Sequence, residues 1–218
     1  MLNGFHEASG STSSEIIFSY VAKQLNNPVD YIINLSKKYS GICLFLPSMT
    51  NNDYLKIKEE LGPYPIISLL PSRNPKIETV CFDSYRGGYM VAKHFQEQGY
   101  KKFGYISGPS KRADALFRKN GFLNHVHETD DLELAWSFEG DFSSSSGKAS
   151  FAEYKNTNLK VVAVFVGNDY SCFGFMKAAI ESGYKIPDDF IIAGFDNLSF
   201  CETFTPELTS IATDFHEL

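Results

Sequence analysis

The chain has 218 residues, 43% of them hydrophobic and 15% aromatic, with a formal net charge of −6. This length suits one large domain or two small ones with a substantial core. Lys and Arg are scattered or in short pairs such as Lys37-Lys38 and Lys101-Lys102. That pattern argues against DNA binding by this chain alone, because phosphate binding depends on clustered cations. No apolar run approaches the roughly 20 residues that span a bilayer, and no signal peptide or membrane partner is expected. Cys43, Cys81, Cys172 and Cys201 form no CxxC. Cys43 and Cys81 lie in apolar runs, which predicts buried free thiols and a reducing cytoplasm.

In chain order, Leu2 to Ala8 reads as the tail of a helix, and Glu15 to Tyr20 as a short strand. Asn27-Pro28 is a helix start, with Asn as the N-cap and Pro at the first helical position. Gly41 to Pro47 is an apolar run closed by Pro, as in a strand covered on both faces. Asp53 to Leu61 is helix-compatible, and strands follow at Pro65–Pro71 and Thr79–Phe82. Ser84 to Gly99 predicts a long helix with Tyr89, Val91, Ala92 and Phe95 inward and Gly99 as its stop. Further on come a strand at Lys102–Ser107, a helix at Ala113–Val126 and a strand at Glu133–Phe138. A helix at Ser143–Tyr154, a strand at Val161–Val166, a helix at Ser171–Ser182 and a strand at Phe190 complete the alternation. Alternating strands and helices call for α/β architecture with parallel sheets flanked by helices.

Two strands end in polar residues. Phe190-Ile191-Ile192-Ala193 runs into Gly194-Phe195-Asp196-Asn197, and the apolar run at Val161 runs into Gly167-Asn168-Asp169. Ligands of open parallel sheets bind beyond the carboxyl ends of the strands. These ends therefore predict a site that reads a small polar molecule. Other chemistry lacks its pattern. Gly147-Lys148 is followed by Ala149 and is no phosphate loop, and neither GxGxxG nor GxSxG occurs. His125 and His127 are too close in sequence to share a helix face and have no third ligand in view, so no metal is expected.

The stretch from Asp83 to Ile211 resembles the effector-binding core of the lactose-repressor and purine-repressor family of bacterial transcription regulators. The matching segments are Asp83-Ser84-Tyr85-Arg86-Gly87-Gly88 with His94-Phe95, and Gly99 through Ile106. They continue with Arg118-Lys119-Asn120-Gly121-Phe122, and with Asn168-Asp169 followed by Gly174. Gly183, Ile186-Pro187-Asp188-Asp189, Gly194-Phe195-Asp196-Asn197 and Pro206 through Ile211 complete the series. Single matches are weak, but the ordered series is specific. Cys172 and Phe173 stand where the family commonly has Ala. Before Asp83 the likeness is looser, carried by Leu2–Ala8 and Ser40-Gly41-Ile42.

The resemblance implies two Rossmann-like lobes of the periplasmic-binding-protein type. An N-terminal lobe would hold residues 1–82 with 212–218, and a C-terminal lobe residues 83–211. It also implies that the DNA-binding head, the hinge and the first core strand precede this chain, and that the family's last elements follow it. The expected function is ligand sensing in a cytoplasmic repressor. A sugar, sugar phosphate or purine would bind between the lobes and control operator DNA through a homodimer and the head. No cofactor and no catalysis are implied.

The contact residues implied by the family positions are Arg112, Asp114, Arg118, Phe142, Asn168, Asp169 and Asp196. Asp196 would accept hydroxyl hydrogen bonds, or else cap the next helix. Arg118 would fork onto vicinal hydroxyls or a phosphate, or else be a surface arginine. Arg112 and Asp114 are expected in the loop after Gly108-Pro109. Phe142 would stack on a flat ligand face or else be core. Asn168 offers both a donor and an acceptor, and Asp169 either touches ligand or orients its helix. Leu69-Leu70-Pro71 stands where some relatives place an acidic contact, with Arg73 as a replacement. Two rival readings are a solute-binding protein of an uptake system and a sugar-converting enzyme on a doubly wound fold.

Overall fold

The computed structural model describes residues 2–10, 15–21, 27–47, 49–72, 78–157, 159 and 163–214. The chain divides into two compact units, Met1–Phe82 with Asp214–Leu218, and Asp83–Thr213.

In the first unit, helix α1 spans Leu2–Gly10 and α2 spans Pro28–Ser36. Asn27 caps α2 as its residue type predicts, its side chain accepting from the Val29 and Asp30 amides. Strands β1 (Ile42–Leu44) and β2 (Ile66–Ser68) pair in parallel, with α3 (Asn51–Leu61) between them. A capping box of Thr50 and Asp53 starts α3. Val29, Ile32, Leu44, Tyr54 and Ile57 form the core.

Three expectations fail in this unit. Glu15–Tyr20 has no regular structure. Its apolar side chains stand in solvent, Phe18 at 60% and Tyr20 at 93% exposure, and a strand needs a neighbour to complete its hydrogen-bond ladder. Thr79–Phe82 makes only an isolated bridge from Thr79 to Ser68. Cys43 is exposed rather than buried, since within β1 only Leu44 is turned fully inward. Cys81 is half-buried, and Cys172 and Cys201 are the buried thiols. Arg73 and the start of the Val161 run lie outside the described residues.

The second unit is a five-stranded parallel sheet in the order β4-β3-β5-β6-β7. Its strands are β3 (Lys102–Ser107), β4 (Glu133–Glu139), β5 (Ala163–Val166), β6 (Ile191–Asp196) and β7 (Thr209–Ala212). Its helices are α4 (Ser84–Glu97), α5 (Ala113–Glu128), α6 (Ser144–Asn156) and α7 (Asp169–Glu181), with a 3-10 turn at Ser199–Glu202. Every residue of β5 is fully buried, which is why it reads as an unbroken apolar run. Alternation along the strands sends Phe103, Tyr105 and Phe165 into one core with α4 and α5. Ile106, Val164 and Val166 enter the other core with α6 and α7.

Two helix pairs close onto the sheet through glycine. A Cβ on Gly121 would collide with the Tyr85 carbonyl, and one on Gly88 with the Arg118 carbonyl. Gly147 and Gly174 bear the same reciprocal relation to Ser171 and Ser144 in the α6–α7 pair. Close backbone approach is what these positions require. It sets α5, and with it Arg118, hard against α4.

Candidate functional site

In the sheet order β3 connects to β4 on one side, and its neighbour β5 connects to β6 on the other. Beyond the carboxyl ends of β3 and β5 lies the switch point, the place where parallel α/β sheets hold ligands. Gly108 follows β3 and Gly167 follows β5. A side chain on Gly108 would run into the Phe142 ring, and one on Gly167 would come within 3.1 Å of it. The loop after β4 thus lays Phe142 over the switch point. Phe142 adopts φ 70, a left-handed conformation that costs a bulky residue energy and recurs at functional sites. Asn168 holds this loop, its amide donating to the Phe142 carbonyl at 3.1 Å while its oxygen caps α7 at the Ser171 amide.

Arg118 crosses the floor of the site. It is 7% exposed. Its guanidinium donates to the Gly167 carbonyl at 2.5 Å and to Asp196 Oδ1 at 3.4 Å. Asp114 Oδ2 lies 3.9 Å away. The guanidinium Cζ sits 3.7 Å over the Phe195 ring and 5.6 Å from the Phe142 ring, so one cation is sandwiched in aromatic surface. Nε of Arg118 and the Tyr105 hydroxyl are buried without a hydrogen-bond partner. Burial pulls the Arg118 pKa down, and Asp196 and Asp114 oppose that pull. An arginine stays protonated under either influence.

Asp196 ends β6 with φ 110, and Asn197 follows with φ 52. Two hydroxyls pin this strained backbone. Thr213 Oγ1 donates to the Asp196 carbonyl at 3.0 Å, and the Asn197 amide donates to Ser210 Oγ at 3.0 Å. Asp196 caps no helix, because the following 3-10 turn has Leu198 at its N-cap. Its carboxyl is pushed up to about 6, chiefly by burial, with Asp169 and Asp114 adding to the rise and Arg118 opposing it.

Arg112 ends the loop after Pro109 as expected, whereas Asp114 is a helix residue and not a loop residue. Arg112 is the N-cap residue of α5 and Asp114 lies in its first turn, where a carboxylate meets the positive end of the helix. Arg112 forks onto Asp114 through Nε at 3.0 Å and Nη2 at 2.6 Å. Its Cζ lies 4.9 Å from the Phe142 ring.

Asp169 sits apart from the other contacts, fully buried. Its carboxylate accepts from the Leu198 amide at 2.8 Å, Ser210 Oγ at 2.6 Å and Cys201 Sγ at 3.2 Å. Burial first, then Asp169, pushes the Cys201 thiol up to about 12. Gly194 leaves the room Asp169 needs, since a Cβ there would strike Oδ1. Asp169 therefore ties α7 to the turn after β6 and to β7.

Arg112, Asp114, Arg118, Phe142 and Asp196 thus come together on one surface, with Asn168 and Asp169 behind it. Residue reading missed Gly108, Gly167, Phe195 and Tyr105, which shape the surface from below. Gly167 carried a signal in its place between an apolar run and Asn168, whereas Tyr105 reads as ordinary core. Outside this surface, a hollow of about 210 Å³ lies between α6 and α7.

The periplasmic binding protein-like domain family matches residues 92–218. The HTH-type transcriptional repressor PurR of Mannheimia succiniciproducens is 34% identical over 179 residues, 81% of this chain and 54% of that protein. The chain spans about half the length of the curated relatives it matches. A dimeric Lac repressor with a C-terminal deletion and a single substitution shares the fold at a TM-score of 0.89 and 22% identity, covering 100% of this chain and 80% of that one. A LacI family transcriptional regulator from Enterococcus faecium, solved with bound ribose, does so at 0.81 and 23%, covering 100% and 79%. The chain belongs to the periplasmic binding protein-like domain family.

Proposed function

We propose that this chain is the ligand-sensing core of a cytoplasmic transcription repressor. A small polar molecule binds at the strand ends of the second unit. Asp196 accepts its hydrogen bonds, Arg118 donates to it, and Phe142 covers its flat face. Arg112 and Asp114 border it, while Asn168 and Asp169 support the site from behind. In the whole protein a DNA-binding head and a second copy of the chain complete the device. The ligand acts through its different affinity for two arrangements of the core, and the spacing of paired heads converts that difference into operator affinity.

One observation carries the reading. A buried guanidinium and a carboxyl, Arg118 and Asp196, meet beside a strained aromatic at the sheet's switch point. A folding core gains little from such an arrangement, because buried ion pairs recover their desolvation cost only with good geometry, and 3.4 Å is long. The similarity to PurR repressors supports the same reading.

Thermal unfolding against a panel of sugars, sugar phosphates, nucleosides and nucleobases tests it. A true ligand raises Tm by mass action, and Asp196→Ala removes that rise. A ligand that raises Tm equally in Asp196→Ala places binding elsewhere.

A further inference from the structure

We infer that the site selects an uncharged ligand with adjacent hydroxyls and rejects the phosphorylated form of the same molecule. This rests on the ligand-sensing reading and narrows it.

Charge in the site sets this preference. Arg112 and Arg118 are the guanidiniums of the site, and each is already engaged. Arg112 spends both prongs of its fork on Asp114, a geometry as good as a phosphate would offer. Arg118 is committed to the Gly167 carbonyl and Asp196, with Asp114 nearby. The carboxyl of Asp196 feels the negative charges of Asp169 and Asp114 as well as the positive charges of both arginines. Asp114 and Asp196 therefore balance the two guanidiniums, and Asp169 adds negative charge from behind. Glu139, whose carboxylate accepts from the Ser110 amide at 3.0 Å, adds a further acid at the edge, with Lys119 acting on it. A phosphate dianion would have to pull Arg112 off Asp114 and approach Asp196 in a site with no surplus of positive charge. Like-charge contact across a binding surface is strongly unfavourable.

Hydroxyls meet no such opposition. Each both donates and accepts. Arg118 has five N–H donors, more than its contacts to Gly167 and Asp196 use, so neighbouring hydroxyls can take from a remaining N–H and give to the Asp196 carboxylate. Asp196 Oδ1 carries the contact with Arg118, and the second carboxyl oxygen is a further acceptor.

Titration calorimetry with the full chain and matched pairs tests this. The probes are ribose with ribose 5-phosphate, glucose with glucose 6-phosphate, and adenosine with adenosine 5′-monophosphate, with adenine and inorganic phosphate alongside. We expect at least one free member to bind about tenfold or more tighter than its ester. Asp114→Asn, which frees the charge of Arg112, should narrow that gap about tenfold. An ester that binds as well as or better than its free form overturns the inference and leaves ligand sensing intact. So does adenine binding tighter than adenosine, or a folded Asp114→Asn with an unchanged ratio. Should Asp114→Asn fail to fold, the comparison of pairs on the unaltered chain still decides. If no member of any pair binds, the ligand-sensing reading itself falls.

Discussion

Arg118 on α5 and Asp196 at the end of β6 are 78 residues apart in the chain, and their side chains meet at 3.4 Å. Neither is free to be an ordinary surface charge. Arg118 is clamped between the Phe195 ring and the Gly167 carbonyl, and Asp196 stands on a left-handed backbone held by Ser210 and Thr213. The pair is thus fixed in place before a ligand arrives, which lowers the ordering cost of binding.

The Asp196 carboxyl is raised from 3.8 to about 6 in the folded chain, so between those values the folded state holds a proton that the unfolded state has lost. Stability from this group is therefore greatest below pH 4 and declines as pH rises to 6. The shift sets an upper figure of about 3 kcal/mol. Tm of the unaltered chain minus that of Asp196→Asn, followed from pH 4 to 8, should fall with rising pH and level off above 6. A difference that rises or stays flat contradicts the buried carboxyl.

Ligand affinity should run the other way. A hydroxyl donating to Asp196 needs the ionised carboxylate, which predominates only above pH 6. Kd should weaken by about tenfold per pH unit below that value and hold steady above it. Calorimetry with whichever free sugar or nucleoside binds supplies the profile, and Asp196→Asn should lose it.

Asp169 should act on stability. Asp169→Asn turns an acceptor of three hydrogen bonds into a group that confronts donors from Leu198, Ser210 and Cys201. Replacing a fully buried acceptor this way should cost about 2–4 kcal/mol in urea unfolding. Arg112→Gln, on a partly exposed side chain, should cost under about 1 kcal/mol. Equal costs for the two would contradict the division between supporting and contacting residues.

Two glycines should separate packing from binding. Gly121→Ala presses a methyl onto the Tyr85 backbone carbonyl, which cannot yield without moving α4. A loss of about 1–3 kcal/mol is expected, even though Ala favours helix over Gly by about 1 kcal/mol. Gly108→Ala meets the Phe142 ring, a side chain that can swing aside. The second change should leave Tm nearly unaltered and weaken ligand affinity, because the displaced ring no longer covers the switch point. An unaltered affinity would show that the ring's position is unimportant.

Much of this molecule could be read from local pattern. The strand at Lys102–Ser107 was expected with the bounds it has, because an apolar run entered through Gly and left through Gly-Pro admits few other structures. Asn27 and Ser143 cap helices as their residue types predict, since capping is settled within four residues. Arg118, Phe142 and Asp196 could be picked out as candidates because they sit at strand ends or in family motifs. Glu15–Tyr20 and Thr79–Phe82 read as strands and are not, since alternation shows a preference while pairing requires a neighbour. Cys43 shows the same limit, as one apolar run cannot tell which of its residues faces in.

Other features arise only when distant segments close on one another. Nothing in the order of residues reveals that β5 lies beside β3 rather than β4, yet that choice creates the switch point. Nor does it reveal that Gly108 and Gly167 make way for Phe142. Asp169 sits in the same chain segment as Asn168 but turns inward to Ser210 and Leu198. Local propensity acts over a helical turn or a strand's length. The electrostatics of Asp196, and the neutralising of each arginine by an acid, depend on distances between groups that only the packed sheet brings within reach.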